Sequence, residues 1–163
     1  MLRGDKVKVN WRNIILGNKA RPRTLFVAWM VCLGRLPTKD RLSRHGVITD
    51  GRCVLCGDKE SIDHLCFECH DAEDMWNSFL DWMPIQMKHT NGKWNLDWFV
   101  QRTKGKSIAS KRIKVTFAEA LYSIWTVRNC MIFQGKTKDS LNMGDIKEKI
   151  RLGLDKYRMI FTS

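Results

Sequence analysis

The order of three cysteines and one histidine in residues 53–69, CVLCGDKESIDHLCFEC, constrains this chain more than any other feature. Cys53 and Cys56 are two residues apart and His64 and Cys69 four, giving C-x2-C-x7-H-x4-C. A zinc ion takes four nitrogen or sulfur ligands in a tetrahedron, and a C-x2-C pair supplies half of them from one tight turn. Gly57, directly after Cys56, suits such a turn, where the backbone often needs a positive φ. An H-x4-C pair can bring an imidazole and a thiolate together near a helix start. Cys66 and His70 compete for the fourth position. Cys66 lies only two residues from His64, which is short for a paired ligand, and His70 would make H-x5-H; spacing favours Cys69. The other readings of these residues are free thiols packed in a core, or a disulfide.

The expected cofactor is one structural Zn2+ held by Cys53, Cys56, His64 and Cys69. A catalytic zinc keeps an open position for water beside a carboxylate base, whereas here four ligands close the shell. Glu60, Asp63 and Glu68 are near in sequence but show no hydrolase arrangement. A cysteine paired with His64 or His70 as a nucleophile explains the same residues less well, because nothing supplies an oxyanion site. No catalytic residue is assigned.

Cysteine usage fits a reducing compartment. The opening MLRGDKVKVNWRN has no apolar run of the secretory kind, and the longest apolar stretch, LFVAWMVCL at 25–33, is too short to span a bilayer. An intracellular protein without membrane contact or small-molecule substrate is expected, with its clustered cysteines on metal. Cys32 and Cys130 fall on apolar helical stripes and read as core residues.

The remaining sequence reads as mostly α, a helical domain around a small zinc-stapled turn with little or no β-sheet. From Thr24 a helix is expected with Leu25, Phe26, Trp29, Met30 and Leu33 on its buried face, ending at Gly34. A short helix follows within 36–46, with Thr38 as its cap, Leu42 inward and Gly46 at its end. Residues 71–83 place Ala72, Met75, Trp76, Phe79, Leu80 and Met83 on one stripe, stopped by Pro84. WNLDWFV at 94–100 is a short amphipathic helix between loops. The helical pattern returns over 113–133 through Phe117, Leu121, Ile124, Trp125 and Arg128, and a last helix over 144–161 carries Ile146, Ile150, Leu154, Tyr157 and Phe161. The 163 residues read as one domain, with a zinc module at 51–72 and helical flanks at 9–46 and 71–161.

Several segments in order resemble the zinc-binding domain that follows the polymerase in plant non-LTR (LINE-type) reverse transcriptases. CVLCGDKESIDHLCFECHDAEDMW is similar to that family's C-x2-C-G, acidic-plus-small pair (here Glu60-Ser61), H-L-F-F-x-C, Ala and Trp. LFVAWMVCLGRLPTKDRLSRHGV is similar to its aromatic segment and G-R-L-P-T-x-D-R-L, and IWTVRNCMIFQGK to its W-x-x-R-N-x-x-x-F ending. The resemblance spans about residues 9–137. It implies Cys53, Cys56, His64 and Cys69 as the ligands, and it places Cys66 where the family usually has Phe, as a core residue. Such elements also encode an endonuclease and a polymerase. This chain contains no Asp-Asp pair, so polymerase activity is not expected, and the sequence reads as a fragment of such an element or a short gene derived from one.

Net charge is +12 and unevenly spread. Residues 1–50 hold 11 Lys and Arg against 3 Asp and Glu, residues 51–90 hold 3 against 8, and residues 91–163 hold 15 against 6. An acidic knuckle between basic flanks points to polyanion binding away from the metal. The expected RNA- or DNA-binding residues are Arg35, Lys39, Arg41 and Arg44, and the run Lys104, Lys106, Lys111, Arg112 and Lys114. The competing expectation is a zinc-stabilised structural or docking domain for a reverse transcriptase or another protein, with Trp82, Trp94 and Trp98 at the interface. Charge and parentage together suggest the nucleus.

Overall fold

The sequence contains one long uninterrupted helical pattern, and the fold is assembled around it. In the computed structural model, which describes residues 11–47, 50–80, 95–137 and 140–158, that segment is the helix α6, Ile108–Phe133. Before it come α1 (Arg12–Ile15), α2 (Pro22–Cys32), α3 (Lys39–Arg44), a π-helical turn (His64–Glu68), α4 (His70–Leu80) and α5 (Leu96–Arg102). After it comes α7 (Met143–Asp155). The described residues contain no strand, and the nearest approach to one is an isolated antiparallel bridge between Arg52 and Lys59. The protein is mostly α. Met83, Pro84, Trp82, Trp94 and Phe161, and the side chains of Leu80 and Ile150, lie outside what is described.

Helix α6 starts earlier than its apolar pattern, because Ser107 caps it by accepting a hydrogen bond from the Ser110 amide. Helices α2, α4, α5 and α7 all pack on α6, so its middle has no solvent face. Val115 through Leu121 are buried without a break. Within that run Glu119 accepts from Arg21, the residue just before α2 (3.0 Å), and from the Tyr157 hydroxyl after α7 (2.9 Å). A buried carboxylate is tolerated when its oxygens are satisfied in this way.

Helix α2 lies in a different phase from the sequence expectation. Its buried face is Thr24, Val27, Ala28 and Val31, while Phe26 and Trp29 are exposed and Leu25, Met30 and Leu33 are half-buried. Both sets have i, i+3, i+4, i+7 spacing, so periodicity alone could not choose between them. Small side chains let α2 approach α6 closely, and packing against that neighbour sets the rotation. Pro22 opens the helix as its first residue, two residues before the expected start at Thr24, with Arg21 at the cap. Gly34, at φ +66°, closes it, and the Arg35 amide reaches back to the Met30 carbonyl at 2.9 Å. Helix α3 buries none of its own residues. Leu42 is half-buried, and the chain is anchored there by Leu36 and Thr38.

Helix α4 matches its expected stripe, with Ala72, Met75, Trp76 and Phe79 buried. Its Trp76 ring stacks at 5.2 Å on Phe99 of α5, which in turn meets Phe117 of α6 at 4.9 Å. Phe67, from the π-turn, lies 6.3–6.5 Å from all three rings. This aromatic cluster joins the cysteine segment to the helical core.

Candidate metal centre

The C-x2-C turn is built by backbone hydrogen bonds. The Gly57 amide donates to the Cys53 carbonyl (2.8 Å), and the Cys53 amide to the Asp58 carbonyl (2.6 Å). Gly57 sits at φ +84°, a conformation that a side chain would strain. The chain then returns past Arg52, and the Glu60 amide bonds the Gly51 carbonyl at 2.9 Å. The outcome is a short, closed knuckle with both thiols on it.

The second candidate pair, His64 and Cys69, is set by the π-turn. The Cys69 amide donates to the His64 carbonyl at 2.7 Å, five residues back instead of four. The wider turn brings positions 64 and 69 to one side, which is why an H-x4-C spacing works here. Ser61 Oγ accepts from the His64 amide at 3.0 Å and fixes the start of the turn. Widening the turn disturbs the helical pairing of its carbonyls, and the buried Trp76 Nε1 satisfies that of Cys66 at 2.7 Å.

These two devices converge. The ligand atoms of Cys53, Cys56, His64 and Cys69 all lie within 4.8 Å of one another, with His64 Nε2 3.1 Å from Cys56 Sγ. Cys53 and Cys69 are buried, Cys56 and His64 half-buried, and no disulfide joins the cysteines. Thiols this close share protons. A hydrogen bond from Cys69 holds Cys53 down to about 5, while the same contact pushes Cys69 far up, and burial raises Cys56. Three thiols and an imidazole converging on one point are a donor set that fits a tetrahedral soft metal such as zinc.

Cys66 lies outside this group. It is fully buried and its thiol is pushed strongly up by loss of solvent. We expect Cys66→Ala to keep the metal content unchanged, and Cys66→Ser to lower stability by about 1–3 kcal/mol through its buried hydroxyl; metal analysis beside thermal unfolding reads both. His70 is exposed, its ring 3.6 Å from Asp71, yet it forms a second, more exposed group of three with Cys56 and Asp58. Cys32 is half-buried at the end of α2, and loss of solvent pushes its thiol up to about 12. Cys130 is half-buried on α6.

The residue that sequence reading missed is Glu60. Its carboxylate is fully buried and receives three hydrogen bonds: from Arg128 Nη2 (2.6 Å), from Arg128 Nε (3.2 Å) and from the Lys39 amide at the start of α3 (2.8 Å). Arg128 is itself only 3% exposed, stacks at 4.6 Å on the Trp125 ring, and donates to Asn129 Oδ1. The knuckle is thus clamped to α6 and α3 by one bidentate ion pair. The available signal was an arginine on the apolar stripe of α6, since a charge at a core position requires a buried partner.

The basic residues expected to bind nucleic acid are unevenly placed. Lys39 Nζ lies 2.6 Å from Asp50, Arg44 pairs with Asp40 at 3.1 Å, and Arg41 donates to the Gly34 carbonyl at 2.7 Å. Arg35 is exposed just beyond α2. Lys104, Lys106 and Lys111 are exposed around the start of α6, whereas Arg112 and Lys114 are half-buried. Burial, aided by Lys111, lowers Lys114, whose amine reaches the Leu16 carbonyl at 3.3 Å. Of the tryptophans expected at an interface, Trp98 is half-buried, edge-on to Phe99 and covered by Arg102. Among the described residues, no helix is long and apolar enough to cross a membrane.

Searches of the curated proteins and of the solved structures returned no match. A family model does match, over residues 1–76, so Arg128 and the rest of α6 lie outside the matched segment. That family is described as zinc-binding in reverse transcriptase, and the matched segment of this chain carries the whole Cys3His cluster.

Proposed function

We propose that the protein is a non-catalytic accessory module derived from a retrotransposon reverse transcriptase. In this reading one structural Zn2+ on Cys53, Cys56, His64 and Cys69 holds the knuckle, and the basic flanks bind RNA or DNA, with the nucleus as the site of action. The observation that carries the zinc role is the closed donor set, four soft ligands within 4.8 Å, in a segment that matches a zinc-binding family. When bound, zinc supplies cross-linking of the two turns rather than an activated water. Charge supports the rest: the chain carries +12, and the carboxylates concentrate beside the metal, away from the flanks. Arg35, Lys104, Lys106 and Lys111 are the favoured phosphate contacts, because Lys39 and Arg44 are already paired with carboxylates.

Binding of labelled oligonucleotides, followed by anisotropy at increasing salt, tests this. Log Kd is expected to rise linearly with log salt. Replacing Lys104, Lys106 and Lys111 by Ala should reduce the slope by about one for each phosphate no longer neutralised. Absence of binding at low salt would leave a zinc-stabilised protein-docking domain as the better description.

A further inference from the structure

We infer that the outer face of α2, centred on Phe26 and Trp29, is a stacking surface for single-stranded nucleic acid. This rests on the nucleic-acid reading above and adds to it a face and a strand form. Phe26 is 57% exposed and Trp29 40%, although the same helix buries smaller side chains beneath them. Rings of that size left in water carry a cost that a partner would remove. Their centroids are 6.1 Å apart with planes at 56°, so the two rings are not stacked on each other. Unpaired bases can stack on such surfaces, whereas the bases of a duplex are already stacked.

The surroundings choose the occupant. Residues 6–39 contain no Asp or Glu at all, a carboxylate-free run that includes Arg12, Lys19, Arg23 and Arg35. All four are exposed. Arg23 precedes Phe26 by one helical turn, and Arg35 follows the Gly34 stop, so cations stand at both ends of the aromatic pair. The nearby carboxylate of Glu119 is buried and held by Arg21, and Asp40 is held by Arg44. An aromatic pair flanked along the chain by arginines, in a stretch of sequence free of carboxylates, complements a strand of phosphates and unpaired bases, and it is a poor match for another basic copy of this chain.

The zinc-loaded full chain is titrated into fluorescein-labelled oligo(rA) and into a duplex of the same length. The Phe26→Ala/Trp29→Ala variant is expected to weaken single-strand binding by about 30-fold or more, with duplex binding and the salt slope unchanged. Phe26→Tyr/Trp29→Phe, which keeps both rings, is expected to retain binding, and circular dichroism checks that each variant is folded. Wild-type affinity in the alanine variant overturns the assignment of this face while leaving the module a nucleic-acid binder. No binding by the wild type to either probe at low salt overturns both readings. Self-association of the wild type that the alanine variant abolishes, without any effect on oligo(rA), assigns the face to a protein contact and overturns the proposal.

Discussion

A chain carrying Cys56→Ser is expected to lose its zinc and, with it, the ordered knuckle. Structural zinc contributes about 10–16 kcal/mol of apparent binding free energy in small zinc domains near neutral pH. That is as large as the whole stability of a typical domain, about 5–15 kcal/mol. The knuckle has little else to hold it together. Between Gly51 and Glu60 only Cys53, Leu55 and Glu60 are buried, and the backbone bonds are those of one turn and one bridge. Removing a ligand leaves Cys53 and Cys69 buried beside each other with no cation to compensate the thiolate that their contact favours. Metal affinity should fall by more than about 100-fold, beyond what loss of a mere outer partner causes. The thermal midpoint should fall by at least about 10 °C, given the roughly 2–4 °C per kcal/mol of a chain of this size. Metal content per chain, compared across Cys56→Ser, Cys69→Ser and Cys66→Ser, identifies the ligands. Zinc retained in Cys69→Ser but lost in Cys66→Ser would transfer the fourth position to Cys66, against its placement in the core.

The same residues mark how far the sequence carries. Ligand spacing is legible because a C-x2-C pair has few uses, and the structure draws together the four side chains that the spacing favoured. The helical class is legible from periodicity, and so is the α4 stripe of Ala72, Met75, Trp76 and Phe79, which has polar residues on its other face. Periodicity fails on α2, where apolar residues surround the helix and two faces score alike, so the neighbour decides. It fails again at the π-turn, because one amide moving from the fourth to the fifth carbonyl leaves no mark in composition. The Glu60–Arg128 pair spans 68 residues and was hidden for a different reason. Arg128 on an apolar stripe signals that some buried partner exists, but Glu60 alone reads as an ordinary surface charge, and only the fold shows which residue the partner is.

Arg128→Met is expected to destabilise the fold by about 3–5 kcal/mol, the usual cost of stranding one member of a buried ion pair. Glu60 would keep the Lys39 amide as a donor but lose both bonds from the guanidinium, one at each oxygen. Its carboxylate is fully buried, so no water replaces them without opening the structure. Glu60→Gln should cost less from the other side, because the amide still accepts from Lys39 and Arg128 retains the face of Trp125 and the Asn129 oxygen. If the pair's value is mostly the avoidance of a stranded charge, Glu60→Met/Arg128→Met should recover much of the loss, as apolar replacement of buried pairs often does. The clamp also predicts a coupling to the metal. Glu60 lies at the exit of the Cys53–Cys56 knuckle and one residue before Ser61, whose hydroxyl sets the amide of His64. Loosening it should weaken zinc affinity by about 10–100-fold, the range seen for partners that orient ligands, although neither charged group touches the ion. Denaturant unfolding at saturating zinc and competition with a chelating indicator separate the two effects. A stability loss with unchanged zinc affinity would make the pair a support of the helical core alone, whereas loss of both in Arg128→Met, a residue beyond the segment that matches the zinc-binding family, would make α6 part of the metal module.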